Sequence, residues 1–338
     1  MIFKRNKTAE EVQNRTPVWQ RVASIAAAVI VVLMLGMAWY WSRSPEVFWV
    51  NEKTSSGAAS TVIGYSTADT LVRVAETLLD KQGGYLTNDK MLPSVFLDNI
   101  PSWELGVVNQ IRDLGRVMRD DYTRSQSQSK EDKDVASGSP QFFFDNDSWI
   151  FPATESEYRK GIESFIDYRT RLMAADPDTQ FYARADNLRE WLSQVEKRLG
   201  SLTRRLGNSV VADRINDDLA GDSAAEAAGP QPDTVNVRTG WFQVDNVFFE
   251  ARGTAWALVH FFRAAEFDFQ HVLADKNAET SVRQIIRELE ASLTPLRSPI
   301  ILNGGGYGLF ANHSLVMANY LARANAAVIN LRELLDQG

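Results

Sequence analysis

The 338-residue chain has no cysteine and only three histidines. The first absence excludes disulfide stapling, thiol chemistry and lipid attachment at a cysteine, and the second leaves little from which to build a histidine-based metal site. There is no long basic block. With 36 basic against 43 acidic residues the formal charge is −7, so no nucleic acid is expected as a partner. A 44% hydrophobic and 23% charged composition excludes collagen-like and wholly disordered chains. Runs of strands separated by hairpin turns are also missing, which favours an all-α body over an α/β one.

What the chain does contain is one long apolar run. From Val22 to Trp41 it reads VASIAAAVIVVLMLGMAWYW, without a charge, and Arg21 and Arg43 lie just outside it. At about 1.5 Å per helical residue such a run covers about 30 Å, the hydrocarbon thickness of a bilayer. The lipid bilayer is therefore the first expected partner, through residues 22–41. A cleavable secretory signal has a shorter apolar core followed by small residues. Here bulky Trp39, Tyr40 and Trp41 follow instead, and an uncleaved anchor is expected. Residues 1–21 carry Lys4, Arg5, Lys7, Arg15 and Arg21 against Glu10 and Glu11, a basic tail of the kind retained in the cytoplasm. Everything beyond about Ser42 is then outside. Trp19 on one flank and Trp39, Tyr40, Trp41, Phe48 and Trp49 on the other resemble aromatic belts at the two headgroup levels. A tail this short cannot fold alone, so any signal passed inward would need a separate protein. The acidic exported body should be held off an anionic membrane surface except where the anchor enforces contact.

Residues 42–65, with NEKTSSGAASTVIGYS, read as a polar spacer. Helical periodicity then governs residues 66–206. Ser66 or Thr67 can cap a first helix, and Trp103, Val107, Ile111, Leu114 and Met118 line one stripe of a second. Ser125 to Pro140 shows no apolar period and reads as a mobile loop. Thr154 with Glu157 three residues on forms the pattern of a capping box, opening a helix lined by Tyr158, Ile162, Phe165, Ile166 and Leu172. The cleanest pattern follows. Phe181, Ala185, Leu188, Leu192, Val195, Leu199, Leu202 and Leu206 recur with a seven-residue repeat, a seam that demands a partner helix. The preceding helix, in an antiparallel hairpin, is the expected partner, and self-association through the seam is the alternative. Residues 207–239 are rich in Ala, Gly, Asp and Pro and read as a flexible linker, with a short helix expected around Val211 to Leu219. Residues 240–338 form a C-terminal helical part, in which Asp245 can cap a long helix carrying Val247, Phe248, Ala251, Leu258 and Phe262.

Candidate chemistry is sparse. His260 and His271, eleven residues apart on a helix, lie about 16 Å apart along its axis and cannot share one ion. They read as partly buried helix histidines, and no metal is expected. Asp145-Asn146-Asp147-Ser148 opens like a calcium loop, but Trp149 stands at the fifth position and Ser156 at the twelfth. A turn that docks Phe142, Phe143, Phe144, Trp149 and Ile150 on the bundle is the better reading. Gly304, Gly305, Gly306 and Tyr307 can present backbone amides to an anion before a last helix beginning near Asn312, although they lack the frame of a nucleotide loop. Arg112 and Arg116 share a helical face with Arg119, close to Asp113, Asp120 and Asp121, and are the candidate contacts for an anionic partner. No catalytic constellation and no cofactor site emerges.

The strings GGYLTNDKMLPSVFLDNIPSWE (83–104), RDDYTRSQSQS (119–129) and FDNDSWIFPATESEYR (144–159) resemble those of a bacterial domain-of-unknown-function family of single-span proteins. The similarity extends over most of the chain. It implies a Gram-negative source and a membrane-anchored envelope protein, and brings no catalytic residue. The expectation is an inner-membrane protein, single-pass with its amino terminus cytoplasmic, whose periplasmic helical bundle, in two helical parts, binds another envelope protein or itself. An envelope enzyme acting on peptidoglycan, polysaccharide or lipid, with a site near Gly304 to Asn312, and a sensory module acting through the membrane helix are the alternatives.

Overall fold

The computed structural model describes residues 17–50, 62–125, 130–210, 212–215, 234–237, 239–240, 243–298, 300–305 and 309–337. Among them the chain is all-α apart from one two-stranded ribbon. The helices are α1 (Val18–Trp41), α2 (Tyr65–Asp80), α3 (Asn99–Val117), α4 (Lys133–Gly138), α5 (Thr154–Met173), α6 (Ala185–Gly207), α7 (Val244–Asp268), α8 (Gln270–Asp275), α9 (Glu279–Ser292) and α10 (His313–Asp336). Helix α1 is apolar, 24 residues long and buries none of its side chains, and among the described residues it is the helix long and apolar enough to cross a membrane.

Helix α7 is the axis of the body. Its Ala, Gly, Leu, Val and Phe positions are buried round most of its circumference, as their spread over more than one stripe implies. It crosses α3 at backbone contact. A Cβ on Gly253 would meet the Trp103 carbonyl oxygen at 2.0 Å, and one on Gly106 would meet that of Glu250 at 2.2 Å. Trp103 and Trp256 close the crossing with ring centroids 5.2 Å apart. Helix α2 packs on α7 and runs antiparallel to α5, with Arg169 paired to Asp69 and Arg159 to Asp80, the latter at 2.6 Å.

Leu188, Leu192, Val195, Leu199 and Leu202 are all buried, but their partner is α10 rather than the expected preceding helix. The pairs Arg189–Asp336 and Glu196–Arg332 show α6 and α10 to be antiparallel. The hairpin with residues 154–172 does not form because α5 already spends its apolar face on α2, α4 and the 3₁₀ turn Ser139–Phe143. One hydrophobic cluster runs from Ala68 to Leu335, so the 66–206 and 240–338 parts share a core.

Three other local expectations change. Residues 130–143 are ordered rather than a mobile loop: Asp132 caps α4 by accepting from the Asp134 and Val135 amides, and Phe142 is buried between Tyr158 and Phe165. Residues 126–129 lie outside the described residues. Thr154 makes no capping box, since its hydroxyl donates to the Asp145 and Ser148 carbonyls at 2.7 and 3.1 Å. Within the expected linker 207–239, Ala212–Ile215 pairs antiparallel with Thr234–Val237 in place of the first part of the short helix expected over 211–219, in keeping with the β-branched residues of Thr-Val-Asn-Val, and residues 211, 216–233 and 238 lie outside the described residues. The caps differ too: Gly64 precedes α2, and Asp245 lies inside α7 after Gln243.

The bundle has two unlike ends. At one end Trp41, the last residue of α1, lies with its ring against Gly83, just beyond α2. The antiparallel pairing places the start of α5 there, and Asn88 and Tyr85 tie the 83–98 segment to the Ser148 and Asn146 carbonyls. The starts of α3 and α7 and the 296–303 segment meet around one cavity lined by Asn99, Asp245 and Ile300. At the other end Tyr122 packs on Phe269 and Phe181.

Candidate functional site

Of the expected spacer 42–65, residues 51–61 lie outside the described residues, and residues 43–50 connect α1 to the body and are not loose. They lie as an extended strap on α2 and α7. The Phe48 amide donates to His260 Nε2 at 3.0 Å, while Trp256 Nε1 donates to the Glu46 carbonyl at 3.2 Å. Arg263 donates to the Phe48 carbonyl and Arg73 to the Trp49 carbonyl, both at 3.1 Å. The Phe48 ring stacks on His260 with centroids 3.8 Å apart, and the Arg73 guanidinium lies 4.2 Å above it. Phe48 is therefore a docking residue of the strap rather than part of a headgroup belt. Because His260 Nε2 accepts, Nδ1 carries the proton and donates to the Trp256 carbonyl at 2.6 Å. Burial, with Arg263 and Arg73 nearby, holds this imidazole neutral and lowers its pKa to about 3.

Two buried acids secure the neighbouring segments. Glu104 on α3 is inaccessible, as is Lys81, whose Nζ lies 2.5 Å from it. Glu104 also accepts the amides of Leu86 and Thr87 at 2.9 and 2.8 Å, fixing the turn that supports Trp41. Asp268, at the end of α7, accepts from the Gly64 amide at 2.9 Å and from both the amide and hydroxyl of Thr67 at 2.6 Å, capping α2 from a distance. Burial pushes its carboxyl up to about 6 against the lowering effect of these hydrogen bonds.

The residues singled out in the sequence are dispersed. Arg112 turns inward and donates to the carbonyls of Phe142 and Phe144 at 2.6 and 3.0 Å and to the Tyr158 hydroxyl at 3.1 Å. Arg116 is exposed with its guanidinium 4.7 Å from the Phe143 ring centroid. Gly304 forms part of a return to α10. Its amide donates to the Ala311 carbonyl at 3.1 Å, and a Cβ there would strike the Phe310 carbonyl oxygen at 2.3 Å. Asn312 caps α10 by accepting the Leu315 amide at 2.8 Å. Gly305 has open space around it, and Gly306 and Tyr307 lie outside the described residues. Of the aromatic turn, Phe142 is buried and Phe144 packs against the core, whereas Phe143, Trp149 and Ile150 are exposed instead of docked. Polar side chains already claim the backbone groups of that loop.

At the end away from α1 a cleft of about 370 Å³ is lined by Thr123, Lys130, Lys133, Arg171, Asp178 and Tyr182. Arg171 forms its floor, held at 2.8 Å by both Asp132 oxygens and at 2.7 Å by Asp134. Sequence reasoning passed over this cleft because its residues come from three segments without a local pattern. Among the described residues no group of three or more His, Asp or Glu is gathered as a metal would require.

No curated protein and no solved structure matches the chain. The profile of one protein family does, over residues 12–338, and its description is "Uncharacterized protein conserved in bacteria (DUF2333)". With nearly the whole chain covered, this all-α protein with its apolar amino-terminal helix belongs to that bacterial family.

Proposed function

We propose that the chain is a single-span bacterial inner-membrane protein, amino terminus in the cytoplasm and body in the periplasm, that binds or organises another envelope component without catalysis. The observation that carries this reading is the strap. A body on a loose tether samples every height and tilt, whereas residues 43–50 bind α1 to α2 and α7 through four main-chain hydrogen bonds. The anchor then fixes where the body stands. The polar cleft around Arg171 opens at the opposite end, about one α5 length or 30 Å from the α1 end by helical rise. It is the surface best placed to meet a partner away from the membrane. The basic tail supports the orientation.

The test is photo-crosslinking in intact cells from Gln180, on the cleft rim, and from Glu163, on the flank of α5. One discrete adduct from Gln180, lost on Lys133→Glu and absent at Glu163, is expected. Identical capture from both positions, or none from either, would contradict the reading.

A further inference from the structure

The most exposed large apolar side chains of the body are gathered in a few segments. Large apolar side chains project into solvent from three separate segments: Leu92 and Phe96 between α2 and α3, Trp149 and Phe151 before α5, and Leu309 and Phe310 before α10. Phe96 is 75% exposed, Phe151 95% and Leu309 fully so. Each segment is anchored by polar groups that leave the apolar tips free: Glu104 holds the Leu86 and Thr87 amides, Thr154 holds the Asp145 and Ser148 carbonyls, and Asn312 holds the Gly304 carbonyl. All three lie at one end of the bundle. The hydrogen bonds from Tyr85 and Asn88 join the first two, and the cavity shared by Asn99, Asp245 and Ile300 joins the third. It is the end where α1 leaves the body, since Trp41 packs on Gly83 at the head of the first segment.

We infer that this end is a second membrane contact, in which the tips of the three segments enter the outer half of the bilayer around the base of α1. The occupant is lipid because α1 places it there. A helix that crosses the bilayer, ends against Gly83 and continues into a strap held at His260 brings the neighbouring tips to headgroup depth. The local charge supports insertion rather than electrostatic adhesion. Asp89, Asp98, Asp145 and Asp147 stand against Lys90 and Arg297 in these segments, Lys81 being paired with Glu104, so there is no basic patch for anionic headgroups and the attraction is apolar. On this inference the expectation that an acidic body stands clear of the membrane is confined to its flanks and far end. Apolar side chains of interfacial segments reach about 5–10 Å into the headgroup and acyl boundary.

The inference rests on α1 crossing the bilayer, and the test separates the two. The chain has no cysteine, so single cysteines can be introduced without background. In the full chain, one copy per phosphatidylcholine nanodisc, an environment-sensitive fluorophore is placed at Phe96, Phe151 or Leu309, at Met173 and Phe267 on the far end, and at Val31 within α1. All of these side chains are exposed, and each labelled variant is checked for an unchanged melting transition. Lipid brominated near the headgroup end of its chains should quench the labels at Phe96, Phe151 and Leu309, which iodide should not reach. The labels at Met173 and Phe267 should behave in the opposite way, and high salt should change neither result. With Val31 quenched by brominated lipid, iodide-accessible tips would overturn the inference and leave the anchor standing. Tips shielded from both quenchers would overturn it in favour of a protein covering.

Discussion

His260 and Phe48, 212 residues apart in sequence, share one hydrogen bond and one ring stack, and through them the segment leaving α1 becomes part of the body. Replacement of His260 by Phe keeps the ring contact and removes the acceptor, leaving the Phe48 amide unsatisfied. A loss of about 1–3 kcal/mol in unfolding free energy is expected. Urea titration of the full chain in detergent measures it, and faster proteolytic nicking within residues 43–50 should accompany it.

The same imidazole makes stability depend on pH, and Asp268 opposes it. His260 has its pKa lowered from 6.5 to about 3, so the folded chain binds fewer protons there than the unfolded one between these values. Its contribution is present above pH 6.5 and is lost as pH falls through that window. Asp268 has its pKa raised from 3.8 to about 6, so its contribution has the opposite sign: it favours folding at low pH and fades as pH rises from 3.8 to 6. Asp268→Asn should therefore steepen the acid destabilisation, and His260→Phe should flatten it. Melting temperatures from pH 4 to 7 decide this, and parallel profiles for both variants would contradict the assignment.

Lys81 and Glu104 form a fully buried ion pair that also holds two backbone amides. Glu104→Gln leaves a buried ammonium without its counter-charge, and a destabilisation of about 3–5 kcal/mol is expected. Replacing both residues, Lys81→Met with Glu104→Gln, should cost less than the sum of the single changes. A double-mutant cycle in denaturant measures the coupling.

Glycines on different helices should respond in opposite directions. At Gly106 and Gly253 an added methyl would collide with a facing helix backbone, so Ala at either position should cost about 3 kcal/mol or more by forcing α3 and α7 apart. Gly200 on α6 has Asn325 at an ordinary 3.7 Å from the same test atom, so Gly200→Ala should stabilise by about 0.5–1 kcal/mol. Thermal melts of the three variants are the check.

Periodicity made the elements legible and left their partners open. The repeat from Leu188 to Leu206 specified a buried face, and Met317, Leu321, Ala324, Val328, Leu331 and Leu335 form a matching buried stripe on α10, but a repeat in one helix does not name the helix that covers it, and the nearer helix in sequence was the expected one. The role of Asp132 depends on Arg171 and that of His260 on Phe48, both distant in sequence, so a polar stretch resembled a mobile loop and a polar spacer hid a docked strap. Thr154 and Glu157 had capping spacing, yet nearby carbonyls took the hydroxyl. The apolar tips misled differently: Trp149 and Ile150 have the composition of core residues, and only the fold shows them turned outward. Gly106 and Gly253 carried no signal beyond their residue type, since the close approach they permit exists only between helices.

The claim on which the account turns is that α1 remains in the chain as a membrane span with the clamped body on its far side. It is tested most directly by labelling intact cells with a membrane-impermeant maleimide, using full-length chains with one cysteine at Gln180 or at Thr8. The account predicts that the Gln180→Cys chain is labelled and retains residues 1–41, while the Thr8→Cys chain is labelled only after lysis. Labelling of Thr8→Cys in intact cells, protection of Gln180→Cys, or a mature chain beginning after Trp41 would contradict it.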